Sequence, residues 1–252
     1  MKSNNSDYGK KQKTDILWSL INTYGSNVLS FLFTLVLTRL VSPSAFGMVA
    51  LTASYITLVS VLVDGGLITA AARSKTLTIE VINSIISLFF IRAFVLFIFF
   101  LLSTFFFYSW SKGNLIIFCL SVIILFIPIQ SVSVMLLVRK KQFALKARLT
   151  FFSTILSGVI SILIAYLGYG LLSLVCLQIL NSLLITVLSY RYCTFRYKFK
   201  FDREILIQFK HISRFAFIST AIERTYSPLL FSIVVQFFGL ANAGYLSRAE
   251  TL

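Results

Sequence analysis

The sequence has little charge and few residues that hold metals or form disulfides. Of its 252 residues only 12% are charged and one is a histidine, His211, and the three cysteines, Cys119, Cys176 and Cys193, form no close pair. Soluble domains carry about 25% charged residues, and zinc or thiol redox sites need clustered ligands. These shortages exclude a water-soluble enzyme, a disordered protein and a disulfide scaffold. No metal and no cofactor is expected.

Apolar residues are abundant instead: they make up 58% of the chain, and the mean hydropathy is +0.91. A helix that crosses a bilayer needs about 20 mainly apolar residues. The sequence predicts seven such spans, with an eighth beginning before Leu252: Ile16–Thr38, Phe46–Ala72, Asn83–Tyr108, Asn114–Val138, Leu149–Leu167, Leu171–Tyr190 and Phe215–Phe238. The predicted fold is therefore all-α, a polytopic helical bundle integral to a membrane.

The basic residues predict the orientation of the bundle. Eighteen lysines and arginines lie in the N-terminal tail and in the loops after the second, fourth and sixth spans, against two, Arg39 and Lys112, in the opposite loops. Because cytoplasmic loops retain positive charge, the N-terminus is predicted to lie inside. In this setting the net charge of +15 sets topology and attracts anionic lipids, so no nucleic-acid partner is expected.

Four ionisable residues lie inside the predicted spans: Asp64, Arg92, Glu223 and Arg224. Each such group costs roughly 2.5 to 3.5 kcal/mol at a helix centre, so it normally faces protein or a watery cavity. Counted from the predicted cytoplasmic ends, the four lie at a similar depth of about 13 Å, and their charges cancel. One interpretation is a set of interhelical salt bridges that fixes packing. The other is a gate that opens when an anionic ligand takes over an arginine.

Adjacent residues on a helix point about 100° apart, so Glu223 and Arg224 are each expected to find a partner on another helix. Asp64-Gly65-Gly66 forms a polar break in the second span, where glycines permit close approach or local unwinding. Further polar residues within spans could line a hydrophilic path or bond a neighbouring helix: Asn22, Asn27, Gln130, Gln178 and Asn181. With no acid pair in an exposed loop and very short outer loops, the chain shows no catalytic constellation, and an enzyme is not expected.

Three segments resemble the polysaccharide flippases of the MOP exporter superfamily, in the Wzx-type and colanic-acid-exporter-like branch. They are Trp18–Gly25 (WSLINTYG), Leu37–Gly47 (LTRLVSPSAFG) and Val63–Leu67 (VDGGL). The resemblance implies a MATE-like fold of two related six-helix lobes. It also implies movement of lipid-linked oligosaccharides from the inner to the outer leaflet of the bacterial cytoplasmic membrane.

A fourth segment, Phe238–Ala249 (FGLANAGYLSRA), is similar to the family's loop between the seventh and eighth helices. It echoes the turn that ends at Gly47, with Gly47 and Gly244 lying 197 residues apart, which a duplicated six-helix unit would leave. By motif position the resemblance assigns structural or gating roles to eight residues: Arg39, Pro43, Gly47, Asp64, Gly66, Gly244, Tyr245 and Arg248.

The expected domain organisation is a cytoplasmic tail (1–15), a six-helix lobe with its cytoplasmic loop (16–211) and the start of a second lobe (212–252). This is about half of a family member, so we expect the N-terminal half of a transporter, present as a fragment, a split-gene product or a degenerate copy. Expected partners are membrane lipids, the lipid-linked substrate, and polysaccharide polymerase or export machinery or a separate C-terminal half.

The resemblance implies a multi-pass flippase of the inner membrane that serves O-antigen and other lipopolysaccharide, capsule or exopolysaccharide synthesis. Because guanidinium groups bind phosphate bidentately, Arg92 and Arg224 are the predicted ligands of the substrate diphosphate. Asp64, Glu223 and Arg39 are the predicted gating or ion-pair residues. The alternatives are a cation-coupled drug exporter of the same superfamily, which would prefer acidic cavity residues, and a non-transporting remnant.

Overall fold

The computed structural model describes residues 25–74, 78–106, 112–192, 197–198, 200, 202, 207 and 210–251. Within these residues the regular structure is helical, which confirms the all-α prediction. The long helices and one short helix are α1 (Gly25–Leu40), α2 (Pro43–Asp64), α3 (Leu67–Arg73), α4 (Ile79–Phe106), α5 (Lys112–Arg139), α6 (Phe143–Tyr166), α7 (Gly170–Tyr192) and α8 (Lys210–Thr251). Six of them are long and apolar enough to cross a membrane.

Each predicted span overlaps a described helix, although the ends of the helices differ from the predicted ends by several residues, and two spans differ in continuity. The second span is not continuous: Gly65 and Gly66 adopt φ values of 55° and 76°, a left-handed conformation that divides it into α2 and α3. The seventh span and the beginning of the eighth form α8, which is broken at Gly239 by a φ of 83° and a ψ of 170°. The tail and the first residues of the first span lie outside the described residues.

Two apolar clusters hold the described helices together. One joins the C-terminal half of α2 to α3, α4 and α5 around the fully buried Val63, Phe89 and Ile124. The other joins the opposite half of α2 to α1, α5, α6 and α7 around Leu37 and Leu120. Since α2 contributes to both clusters and also packs more extensively than any other described helix against α8, it is the central helix of the structure.

The basic loops meet at one end of the bundle. The guanidinium of Arg139, at the end of α5, donates to the carbonyl oxygen of Ala71 in α3 at 2.8 Å. Lys200, between α7 and α8, forms a salt bridge of 2.8 Å with Glu80 at the start of α4. The hydrogen bond to Glu80 raises the pKa of Lys200. These contacts place the basic loops at one end of the bundle, and the assignment of that end to the inside of the cell stays a prediction.

Three of the described residues between α7 and α8, Tyr197, Lys198 and Lys200, pack along a polar face of α4. The amide N–H of Lys198 donates to the side-chain oxygen of Asn83 at 3.1 Å, and the N–H of Lys200 donates to the Ser87 hydroxyl at 3.2 Å. The ring of Tyr197 lies 5.5 Å from that of Phe90. Asn83 and Ser87 are buried, and these bonds satisfy polar groups that would otherwise be costly at that depth.

Helices α2 and α8 cross at two glycines near the opposite end of the bundle. A Cβ at Gly47 would collide with the carbonyl oxygen of Leu240, and a Cβ at Gly244 would collide with that of Pro43. Glycine lets the two backbones approach this closely. The two members of the predicted internal repeat, Gly47 and Gly244, are therefore in contact across the α2–α8 interface.

Gly244→Ala is expected to destabilise the purified protein by about 1–3 kcal/mol, because the added methyl group has backbone and not a flexible side chain as its neighbour. A detergent thermal-unfolding assay followed by size-exclusion chromatography measures this as a lower midpoint. The matched control is Gly170→Ala, whose Cβ would meet Val41 at an ordinary 3.5 Å. Equal midpoints for the two variants would contradict the close crossing.

Candidate substrate cleft

A cleft of about 870 Å³ opens between α1, α2, α7 and α8. Its lining combines apolar residues, two of them phenylalanines, with uncharged hydroxyl and amide side chains and one carboxylate. The lining residues are Asn27, Val28, Ser30, Phe31, Ala50, Ala53, Ser54, Thr57, Gln178, Ser227, Phe231, Ser247 and Glu250. A concave, partly polar space in a bundle of apolar helices is the default candidate for a binding site.

Helical spacing explains how α2 forms one wall of the cleft. Ala50, Ala53, Ser54 and Thr57 follow the i, i+3, i+4, i+7 pattern that places residues on one helix face. All four side chains are small, so the wall is concave. The polar members bond their own helix: Ser54 donates to the Leu51 carbonyl at 2.7 Å, which leaves the hydroxyl oxygen able to accept from a ligand.

The break at Gly239 allows both parts of α8 to line the cleft. Ser227 and Ser247 are 20 residues apart, a separation of about 30 Å in a straight helix, yet both lie at the same cleft. The non-helical backbone of Gly239 redirects the chain between them. As a result Glu250 also lines the cleft. Sequence reasoning missed this carboxylate because it considered ionisable residues only in the seven predicted spans.

The amides predicted from sequence have different positions. Asn27 and Gln178 line the cleft, while Gln130 accepts a hydrogen bond from Ser182 at 3.3 Å and so joins α5 to α7. Asn181 accepts from Ser153 at 2.8 Å and lines a smaller cavity beside the cleft. Asn22 lies outside the described residues.

The structure brings Asp64 and Arg92 together at the break between α2 and α3. The guanidinium of Arg92 lies beside Gly65 and donates to the carbonyl oxygen of Val63 at 3.4 Å, and it attracts the Asp64 carboxylate electrostatically. Asp64 in turn accepts from the N–H of Ile68 at 2.9 Å, as a residue that caps the first turn of α3. Neither charged residue belongs to the described lining of the cleft.

Glu223 and Arg224 do not join this pair. Both are exposed on α8, and neither forms a salt bridge or hydrogen bond with another described residue. Ser227, which lines the cleft, follows Glu223 by four residues and Arg224 by three, so all three share one side of the helix. The two charges therefore lie one turn from the cleft, toward the end of the bundle where the basic loops meet. The four residues therefore do not form one cluster, because Glu223 and Arg224 are exposed on α8 while Asp64 and Arg92 are partly buried at the break between α2 and α3.

The arginines at the opposite end differ in burial. Arg39 is exposed on α1, with no salt bridge to any described residue. Arg248 instead places its guanidinium 4.4 Å from the centroid of the Phe46 ring and donates to the carbonyl oxygen of Val41 at 3.1 Å. It therefore ties the end of α8 to the turn between α1 and α2. Within the described part of the chain no group of three or more metal-binding side chains is close enough to hold an ion.

Comparison with known proteins identifies the family. A family model described as "polysaccharide biosynthesis protein" matches residues 36–252. The chain is 28% identical to the succinoglycan biosynthesis transport protein ExoT of Rhizobium meliloti (strain 1021), in a match that covers 92% of this chain and 48% of that protein. The chain thus spans about half the length of this curated relative, and no solved structure is significantly similar to it. The protein belongs to the polysaccharide biosynthesis protein family, which confirms its resemblance to Wzx-type flippases.

Proposed function

We propose that this protein moves a polyprenyl-diphosphate-linked oligosaccharide across the bacterial inner membrane for synthesis of a surface polysaccharide. The observation that carries the proposal is the cleft of about 870 Å³, with its hydroxyl and amide lining, inside a bundle of apolar helices. Sugar hydroxyls both donate and accept hydrogen bonds, so they match this lining, while the polyprenyl chain stays in the lipid. The name of the relative, a succinoglycan transport protein, supports the same substrate class.

The arginines suit different roles in this proposal. Arg224 is exposed one helical turn from the cleft, where its guanidinium is free to bind the two phosphates as the glycan enters. Arg92 is directed at Val63 and Asp64 and lies outside the described cleft lining. We therefore assign the diphosphate to Arg224 and give Arg92 the task of holding the α2–α3 break. Glu223 lies next to Arg224 on α8 but forms no salt bridge with it, so we assign Glu223 no ion-pair role in this proposal.

Complementation tests the proposal. The 252-residue chain is expressed in a strain whose own polysaccharide flippase is deleted, once alone and once with the second half of the Rhizobium relative. Surface polysaccharide and trapped lipid-linked precursor are then quantified. Restored polymer with cleared precursor in either arm supports transport. Trapped precursor in both arms, with membrane insertion verified, would instead identify a non-transporting remnant.

Arg224→Ala is expected to abolish export in whichever arm restores it, because the diphosphate then enters without a counter-charge. The protein level in the membrane should not change, since Arg224 is exposed and its side chain forms no hydrogen bond or salt bridge with another described residue. The matched control is Arg214→Ala, which removes an exposed arginine near the start of the same helix and should leave export intact. Undiminished export in Arg224→Ala would remove this residue from the site.

A cation-coupled drug exporter of the same superfamily is the second candidate. Glu250 favours it, because an acidic residue lining the cleft suits a cationic ligand better than a diphosphate. A drug-resistance assay in a strain lacking its own exporters separates the two functions. Increased resistance to cationic drugs without restored surface polymer would favour this second function.

A further inference from the structure

A second, smaller cavity opens beside the substrate cleft. This cavity, which we call the annex, has a volume of about 240 Å³ and lies between α1, α2, α6 and α7. It shares Ser30, Ala50, Gln178 and Ser247 with the lining of the cleft, so the two spaces adjoin. A ligand in the cleft can therefore extend a group into the annex.

The polar side chains of the annex offer a mixture of acceptors and donors. The hydroxyls of Thr34 and Thr154 donate to carbonyl oxygens of their own helices at 2.8 and 3.0 Å, which leaves their oxygens as acceptors. The side-chain oxygen of Asn181 already accepts from Ser153, so its NH₂ group remains as a donor. Gln178 forms no hydrogen bond with any described residue, although it lines both spaces. A ligand that fits must both donate and accept.

Apart from the hydroxyls of Ser30, Ser157 and Ser247, the remaining wall of the annex is apolar, and two aromatic residues, Phe33 and Phe46, belong to it. Phe33 packs against Gly158 of α6 so closely that a Cβ on Gly158 would collide with its ring. The described lining contains no ionisable side chain. A charged group placed here would lose its hydration without gaining a counter-charge, which is unfavourable.

We propose that the annex binds one uncharged sugar unit of the transported glycan. A neutral sugar has hydroxyls for the acceptors and donors of Thr34, Thr154, Gln178 and Asn181, and C–H faces for the aromatic wall. The annex then selects for a neutral residue at one position of the oligosaccharide. This inference rests on the proposed function, because it divides the glycan between the annex and the cleft.

Protection of an introduced thiol tests the inference without requiring transport. Thr154→Cys is made in the full chain with Cys119, Cys176 and Cys193 replaced by serine, and the rate of its modification by methyl methanethiosulfonate is measured in detergent. Glucose, galactose, mannose and N-acetylglucosamine are the neutral probes, and glucuronate is the charged one. At least one neutral sugar is expected to slow modification severalfold, whereas glucuronate at equal concentration does not. The control is Ser44→Cys, which is exposed outside the annex and should react at one rate throughout.

A second variant blocks the annex from the side. Gly158→Ala, added to the Thr154→Cys chain, pushes the Phe33 ring into the cavity and should abolish protection of the introduced thiol by sugar. Val159→Ala, on the exposed face of α6, should preserve that protection.

Absence of protection by any neutral sugar, or equal protection by glucuronate, overturns the proposal. If polysaccharide export is restored in the same chain, the proposed function survives that failure. Protection without export would retain the sugar site and reject transport.

Discussion

Replacing Arg92 with alanine is expected to reduce the yield of folded protein severalfold. The guanidinium lies beside the left-handed Gly65, donates to the carbonyl oxygen of Val63 and attracts Asp64. Without it, the Asp64 carboxyl group remains partly buried within the membrane-spanning part of the bundle and has lost the cation beside it. Removal of one partner from a buried pair costs more than the pair itself contributes. Membrane yield and monodispersity on size-exclusion chromatography measure the effect.

A double variant separates charge from shape. In Asp64→Asn with Arg92→Ala the remaining amide is neutral and still accepts from the N–H of Ile68, so the yield should recover much of the loss. Arg214→Ala, an exposed arginine on α8, should behave as wild type. If the yield of the double variant is as low as that of Arg92→Ala, the loss is caused by the missing contacts of the guanidinium and not by the unpaired carboxylate.

Gly66→Ala is expected to produce the largest loss of stability among single substitutions of glycine. Gly66 has a φ of 76°, and a Cβ there would collide with the carbonyl oxygen of Ser213 at the start of α8. The left-handed backbone costs an alanine about 1–2 kcal/mol, and the overpacking adds about 1–3 kcal/mol. Thermal unfolding in detergent should show a lower midpoint than that of any other alanine variant described above.

Gly168→Ala provides a control for the backbone contribution. Gly168 also has a positive φ, 90°, but a Cβ there would have no other atom within 4 Å. It should therefore show only the cost of the left-handed conformation. If Gly66→Ala is no worse than Gly168→Ala, the start of α8 does not press against the break as the structure has it.

Contacts at three levels hold α2 and α8 together along the length of the interface. At the end where the basic loops meet, the Ser213 hydroxyl donates to the carbonyl oxygen of Gly65, and in the middle Tyr55 and Ser232 share a hydrogen bond of 2.7 Å. At the opposite end Gly47 and Gly244 meet. Transporters built from two repeats alternate access by rocking one repeat against the other. A motion of that kind between the two lobes would have to loosen these contacts between α2 and α8.

Hydropathy and charge in the sequence were enough to determine the class of the fold. Runs of about 20 apolar residues predict spanning helices, because the bilayer core contains no water and the backbone must form its hydrogen bonds within the helix. The asymmetry of lysine and arginine predicts which loops meet, and Arg139 and Lys200 bear this out at one end of the bundle. Sequence also marked Asp64-Gly65-Gly66 as a break, since only glycine adopts the left-handed conformation without cost.

The tertiary structure alone decided which residues share a site. Depth along a helix can be counted from sequence, and this placed Asp64, Arg92, Glu223 and Arg224 at one level. Which neighbouring helix a side chain faces depends on how the helices pack. In the structure this packing separates Asp64 and Arg92 from Glu223 and Arg224. The position of Glu250 could not be predicted from sequence for a related reason. Only the turn at Gly239 brings the end of α8 back to the cleft that Ser227 lines.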